Sequence, residues 1–151
     1  MFRGITSVNL DAKGRMALPS RYREAWSECD GKLVLTIDSR ERCLLLYPTP
    51  EWEAVQAKLE SLSNLRKPAR LLQRLLIGHA TDVDVDGSGR VLIPPMLREF
   101  ASLKKKLVLL GQGNKLEVWS DEIWQERLGE WLKAPPADDL LDGEDFTGLS
   151  L

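Results

Sequence analysis

Residues 11–19 read Asp11-Ala12-Lys13-Gly14-Arg15-Met16-Ala17-Leu18-Pro19, and residues 86–94 read Asp86-Gly87-Ser88-Gly89-Arg90-Val91-Leu92-Ile93-Pro94. Asp, Gly, Arg and Pro recur at one offset, 75 residues, and so do Arg23-Glu24 and Arg98-Glu99. Working outward, Ile5, Thr6, Val8 and Leu10 align with Ala80, Thr81, Val83 and Val85. Downstream, residues 32–35 resemble 106–109, residues 44–47 resemble 116–119, and Trp52 has a counterpart in Trp124. Two ordered copies make a duplicated subdomain; a solenoid needs at least three stacked units.

Both copies carry the same succession of local signals. Alternating apolar residues (Ile5, Val8, Leu10; Val83, Val85) predict a half-buried strand. The turn Asp-x-x-Gly follows, with Gly14 or Gly89 free to take positive φ. A short strand over 15–18 or 90–93 completes a hairpin, and Pro19 or Pro94 then opens a helix, over 21–29 or 96–103. A second strand pair lies over 32–37 and 44–47, and over 107–110 and 116–119. Between the copies, Trp52, Val55, Leu59 and Leu62 form an apolar stripe at helical spacing. Leu71, Leu72, Leu75 and Leu76 continue a second helix to Gly78. The predicted organisation is a first repeat over 1–49, connecting helices over 50–78, a second repeat with a C-terminal helix over 79–133, and an acidic flexible tail over 134–151. Two homologous β-subdomains on one chain can pair about a pseudo-two-fold axis as a dimer would.

The 151 residues suffice for a real core, and 43% hydrophobic with 29% charged residues is an ordinary globular composition. Apolar runs such as 107–110 are far short of a membrane span. The opening Met1-Phe2-Arg3-Gly4 lacks the apolar core of a signal peptide, so a cytoplasmic location is expected. Cys29 and Cys43 are too few for a disulfide scaffold. The lone His79 argues against zinc and against Ser-His or Cys-His catalysis. Net charge is −2, yet Asp138, Asp139, Asp142, Glu144 and Asp145 in the tail account for five acids, which leaves a body of +3. That distribution permits nucleic-acid binding without requiring it.

Three motifs suggest other chemistry and fall short of it. Asp82-x-Asp84-x-Asp86-Gly87 opens like a calcium-binding EF-hand loop, but the twelfth position is Ile93 instead of Glu, and the flanks alternate as strands. Asp11 and Asp86 resemble the paired acids of an aspartic protease, but Lys13 stands where a small hydroxyl belongs, and Arg15 and Arg90 would keep both carboxylates ionised. Residues 111–115 are too short for a phosphate-binding loop and suit a hairpin turn. The five tryptophans suit core or subunit contacts rather than base stacking.

The cations remain. Residues 1–24 hold Arg3, Lys13, Arg15, Arg21 and Arg23 against Asp11 and Glu24, a balance of +3. The matching window 76–99 holds Arg90 and Arg98 against Asp82, Asp84, Asp86 and Glu99, a balance of −2. An Asp11–Arg15 ion pair that merely pins the turn needs no such asymmetry. A first copy facing an anion and a second copy kept as scaffold does. Arginine on a tight turn can read guanine bidentately while lysine grips phosphate. The stripe Arg66, Arg70, Arg74 reads as a solvated helix face.

The two Asp-x-x-x-Arg motifs (Asp11/Arg15 and Asp86/Arg90), the opening Met1–Gly4 and the run Cys43-Leu-Leu-Leu-Tyr-Pro48 resemble the bacterial MraZ family over residues 1 to about 133. That resemblance implies an α+β fold of two AbrB-like swapped-hairpin repeats forming a pseudo-two-fold β-barrel flanked by helices. It implies a transcription regulator, usually a repressor of the division and cell-wall gene cluster. Such a protein binds direct repeats in double-stranded DNA as a ring-like homo-oligomer, in the cytoplasm and nucleoid. By the same resemblance Arg15 is the DNA-binding arginine, with Lys13 and Arg3 beside it, while Asp11, Gly14, Asp86, Gly89 and Arg90 are structural members of the motif. No catalysis, cofactor, metal, membrane or small-molecule substrate is expected. An antitoxin-like interaction module is the second reading, since swapped-hairpin antitoxins share the fold, and an enzyme is third.

Overall fold

The computed structural model describes residues 1–134, so nearly all of the expected acidic tail lies outside the described residues. The chain divides into two compact units, Met1–Asp121 and a second beginning at Glu122. In the first, the hairpin segments are β1 (Phe2–Asn9) and β2 (Arg15–Ala17), then β5 (Thr81–Asp84) and β6 (Arg90–Leu92). The second strand pairs are β3 (Lys32–Ile37) with β4 (Leu44–Pro48), and β7 (Lys106–Gly113) with β8 (Leu116–Ser120).

All pairing is antiparallel, and the copies exchange partners. Strand β1 of the first copy pairs with β7 of the second, and β5 of the second pairs with β3 of the first. The six-stranded order β1-β7-β8-β4-β3-β5 reads the same when each strand is replaced by its counterpart in the other copy. Strands β2 and β6 form a separate ribbon centred on Met16 opposite Val91. The expected pseudo-two-fold swap is therefore present, but the expected barrel is not closed. The edges β1 and β5 stay apart, because β2 and β6 are only three residues long and pair with each other. One isolated bridge, Leu10 to Met16, links the ribbon's surroundings to it.

Side chains of both copies fill one core. Met16, Val91, Ile93, Leu97 and Ala101 have no accessible surface and pack with Leu33, Leu35, Leu44, Leu46, Leu107, Leu109, Leu116 and Val118. A smaller cluster of Val34, Leu45, Tyr47, Trp52 and Leu59 lies where α2 (Thr49–Glu60) covers the other face of β3 and β4. Hence β3 and β4 are buried nearly throughout, as strands covered on both faces must be. Buried Thr36 is accommodated because its Oγ1 donates to Leu76 O at 2.7 Å. That carbonyl lies in a π-helical turn, Gln73–Ile77, which ends α3 (Lys67–Leu72) where continuous α-helix was expected.

Local deviations from the expected pattern have local causes. On β1 the inward phase starts at buried Phe2, which leaves Ile5 outward and 57% exposed. The first helix splits into a 3-10 turn, Ser20–Tyr22, and α1 (Arg23–Ser27), then stops at Asp30 and Gly31, both with positive φ. Its counterpart α4 (Pro95–Phe100) ends before Ser102, also at positive φ. Trp26, Trp52 and Trp119 are buried. The helix α5 (Asp121–Lys133) brings Trp124 and Trp131 into an edge-to-face contact at 5.9 Å, with Arg127 over the Trp131 ring.

Candidate nucleic-acid interface

Alternation along a three-residue strand sends its middle side chain one way and its ends the other. In β2 and β6 the middle residues, Met16 and Val91, point into the core, so Arg15, Ala17, Arg90 and Leu92 all face solvent. The register sets Arg15 opposite Leu92 and Ala17 opposite Arg90. The swap thus assembles four side chains, two from each copy, into one outward face. Arg90 was expected to serve as scaffold in its own copy; the structure places it on the same face as Arg15.

Each end of the ribbon is an identical backbone turn. Asp11 Oδ1 accepts the amides of Lys13 and Arg15 at 2.9 Å, and Asp86 Oδ1 accepts those of Ser88 and Arg90 at 2.9 Å. Gly14 and Gly89 supply the positive φ that closes these turns, at 85° and 75°. The turns are also tied to the opposite strand, Ile93 N donating to Gly14 O and Leu18 N to Gly89 O at 2.9 Å. The amide of Arg15, above all, holds the Asp11 carboxyl below the usual range, and the amide of Arg90 does the same for Asp86. Two ionised carboxylates anchored in this way are turn staples, unlike a dyad sharing one proton. Arg15 Nε bonds Asp11 Oδ2 at 2.8 Å. Arg90 lies near two acids, Asp86 at 3.3 Å and Asp11 at 3.8 Å. Asp82 and Asp84 are exposed on β5, away from that pairing.

The surroundings of the turns differ. Leu10 N donates to Lys105 O at 2.8 Å and Asn9 pairs with Lys106, so the run Lys104-Lys105-Lys106 flanks the first turn. At the equivalent place beside the second turn, Val85 N donates to Gly31 O and Lys32 pairs with Asp84, so the flanking residues are Asp30, Gly31 and Lys32. Arg98 of α4 lies against the first turn: a methyl group on Gly14 would sit 2.7 Å from its Cζ. Among the described residues nothing lies within 4 Å of the same position on Gly89, which opens on a cavity of about 540 Å³ lined in part by Arg23 and Asp86.

Lys13 is exposed at the tip and forms no ion pair among the described residues. Arg3 is not brought to the turn. It sits opposite Gln112 near the far end of β1, about 26 Å from Asp11 at extended-strand rise. Its neighbour there is Arg21, which bonds Thr6 Oγ1 and the Tyr22 hydroxyl. Sequence reading missed Leu92, Arg98 and the Lys104–106 run as neighbours of the first turn, because each reaches it only through pairing between copies. The repeat offset was the available signal, since self-pairing of equivalent strands prescribes that register.

Two other expected features sit where local chemistry puts them. His79 Nδ1 lies 2.7 Å from Leu75 O, and residues 111–115 close the β7–β8 hairpin through Gln112 N to Lys115 O. Asp38, Cys43 and Glu117 place one ligand-type atom each within 4.8 Å of one another. Asp38 is engaged by the amides of Ser39 and Glu41, and Glu117 by the Trp119 indole. Burial, reinforced by those acids, pushes the Cys43 thiol up. No helix among the described residues is long and apolar enough to cross a membrane.

Comparison with known proteins agrees with this geometry. A family model described as "MraZ protein, putative antitoxin-like" matches twice, over residues 1–75 and 76–140. A protein of Halorhodospira halophila named transcriptional regulator MraZ is 54% identical over 146 residues, 95% of this chain and 96% of its own. Namesakes from Thioalkalivibrio sulfidiphilus (54% over 134 residues, 88% and 89% of the two chains) and Coxiella burnetii (52% over 143, 93% and 94%) are similar to it as well. With the duplicated motif, the swapped pairing and near full-length identity in agreement, the chain belongs to the MraZ family of transcriptional regulators.

Proposed function

We propose that this regulator binds double-stranded DNA sequence-specifically by presenting the β2–β6 ribbon to the major groove. That groove admits a two-stranded β-ribbon, and arginine reads guanine there through two hydrogen bonds. The observation that carries the reading is the outward face of the ribbon, with Arg15 on it and Lys13 at the adjoining tip. Arg15 contacts a base, and Lys13 holds phosphate. Asp11, Gly14, Asp86, Gly89 and Arg90 keep the two turns in shape. Arg3 is an outlying cation, too far along β1 to share that contact.

Direct repeats and a ring-like homo-oligomer belong to the same reading. Palindromic operators mirror exact two-fold proteins. Here the dyad holds for the backbone only, since Arg15 faces Leu92 whereas Arg90 faces Ala17. Each subunit reads an asymmetric site, and subunits repeated head-to-tail around a ring would meet such sites as direct repeats. One turn makes a small footprint, so linked subunits raise affinity through effective concentration. The regulator works in the cytoplasm, on the nucleoid, as a repressor of the division and cell-wall genes and not as an enzyme.

Footprinting on DNA upstream of its own gene is the test. Protection of regularly spaced repeats by a large oligomer, measured by light scattering, is expected, with half-turn changes in spacing lowering affinity. A monomer that binds one repeat as tightly as several overturns the assembly reading. Absence of any protected segment overturns DNA binding.

A further inference from the structure

Leu92 is the unexplained member of the ribbon's outward face. It is 55% exposed although its neighbours along the chain, Val91 and Ile93, are fully buried, and it stands directly opposite Arg15. We infer that Leu92 reads the C5-methyl group of a thymine neighbouring the base contacted by Arg15. The inference rests on the major-groove reading above.

The chemistry follows from what the groove presents. Of the four bases only thymine carries a methyl group at the major-groove edge, and an apolar side chain recognises it by excluding water. Directly opposed residues of an antiparallel pair hold their Cβ atoms about 5 Å apart, so the two side chains can reach adjacent bases. Arg15 then supplies the polar half of the contact and Leu92 the apolar half. The flanking charges identify the occupant. Arg15 lies on this face, with Lys13 at the adjoining tip and the Lys104–106 run beside the first turn, which suits a polyanion and opposes a greasy protein surface. The second copy repeats the design with a shorter reach, since Ala17 faces Arg90. Thymine discrimination therefore belongs to the Arg15 half of the site.

The test uses the segment upstream of the protein's own gene, amplified once with dTTP and once with dUTP and uracil-substituted primers, so that every thymine methyl is absent from the second product. The parent protein should bind uracil DNA about fourfold more weakly for each engaged subunit, the value of one buried methyl. Leu92→Ala should bind both products equally, and Leu92→Met should keep the discrimination. Equal binding of both products by the parent overturns the inference. So does a thymine preference that survives in Leu92→Ala, because the methyl would then act elsewhere or through duplex stiffness. A change of oligomer size in Leu92→Ala would make the residue a subunit contact and also overturn it. Failure of the parent to bind either product refutes the underlying DNA reading instead, which separates the two failures.

Discussion

The two turns of the ribbon share a backbone and differ in almost everything around it. In each, an aspartate accepts two amides at 2.9 Å, a glycine takes positive φ and an arginine follows. At the first turn the glycine is buried beneath Arg98, Lys13 stands at the tip, and three lysines of the second copy lie alongside. The second turn has Ser88 at the tip, Asp30 and Lys32 alongside, and, among the described residues, nothing over Gly89. Duplication supplied one scaffold twice. Divergence of the side chains made one end cationic and braced, and left the other near neutral and open. The lesson is that a pseudo-dimer can specialise one half while its backbone dyad holds the geometry.

The sharpest way to break that comparison is to remove the arginines in turn. Arg15→Ala should lose about 1–3 kcal/mol of specific DNA binding per engaged subunit, with the fold intact by circular dichroism. Arg90→Ala, whose guanidinium is drawn toward Asp86 and Asp11, should lose much less in the same gel-shift assay. Equal losses would mean that both halves read bases.

The glycines separate bracing from backbone strain. Gly89→Ala should cost about 1–2 kcal/mol, the penalty of an L-residue in left-handed conformation. Gly14→Ala should cost more in urea unfolding, because its methyl also displaces Arg98. In an Arg98→Ala background the two substitutions should become equivalent. A difference that persists there would show that Arg98 is not the brace.

Salt dependence tests the flanking charges. Removing one lysine–phosphate interaction flattens the slope of log affinity against log salt by about 0.9, because one fewer counterion is released on binding. Lys13→Ala and Lys105→Ala should each flatten it toward that extent, whereas Lys32→Ala and Arg90→Ala should leave it nearly unchanged. Matching slopes for Lys105→Ala and Lys32→Ala would erase the electrostatic distinction between the turns.

The smallest effect is on pH. Asp11 and Asp86 have depressed carboxyl pKa values in the folded state. Their stabilisation is therefore present above the unfolded value near 4 and lost as the pH falls through the folded value. Asp11→Asn should lower the melting temperature at pH 7 and converge with the parent once the pH has fallen below the folded carboxyl's depressed pKa. Asp86→Asn should do the same more weakly, since Asp11 lies near both arginines whereas Asp86 pairs with Arg90.

What the sequence by itself determined is local in its physics. Turn chemistry, the period-2 alternation and proline at helix starts located the Asp-x-x-Gly turns, the second strand pairs and the helices, and the offset of 75 disclosed the duplication. The expected hairpins give way to pairing of β1 with β7, β5 with β3 and β2 with β6. Even the phase of β1 escaped it, since both Ile5 and Val8 are apolar and only the burial of Phe2 chooses between their faces. Pairing partners were decided by the tertiary structure. Each strand of one copy meets the other across many tens of residues, and that contact depends on how the joint core packs, not on any neighbouring residue. The composite site follows from those partners. Arg15 could be picked out from its own turn, but Leu92 opposite it, Arg98 above Gly14 and Lys105 beside Leu10 became its neighbours only when β2 met β6 and β1 met β7.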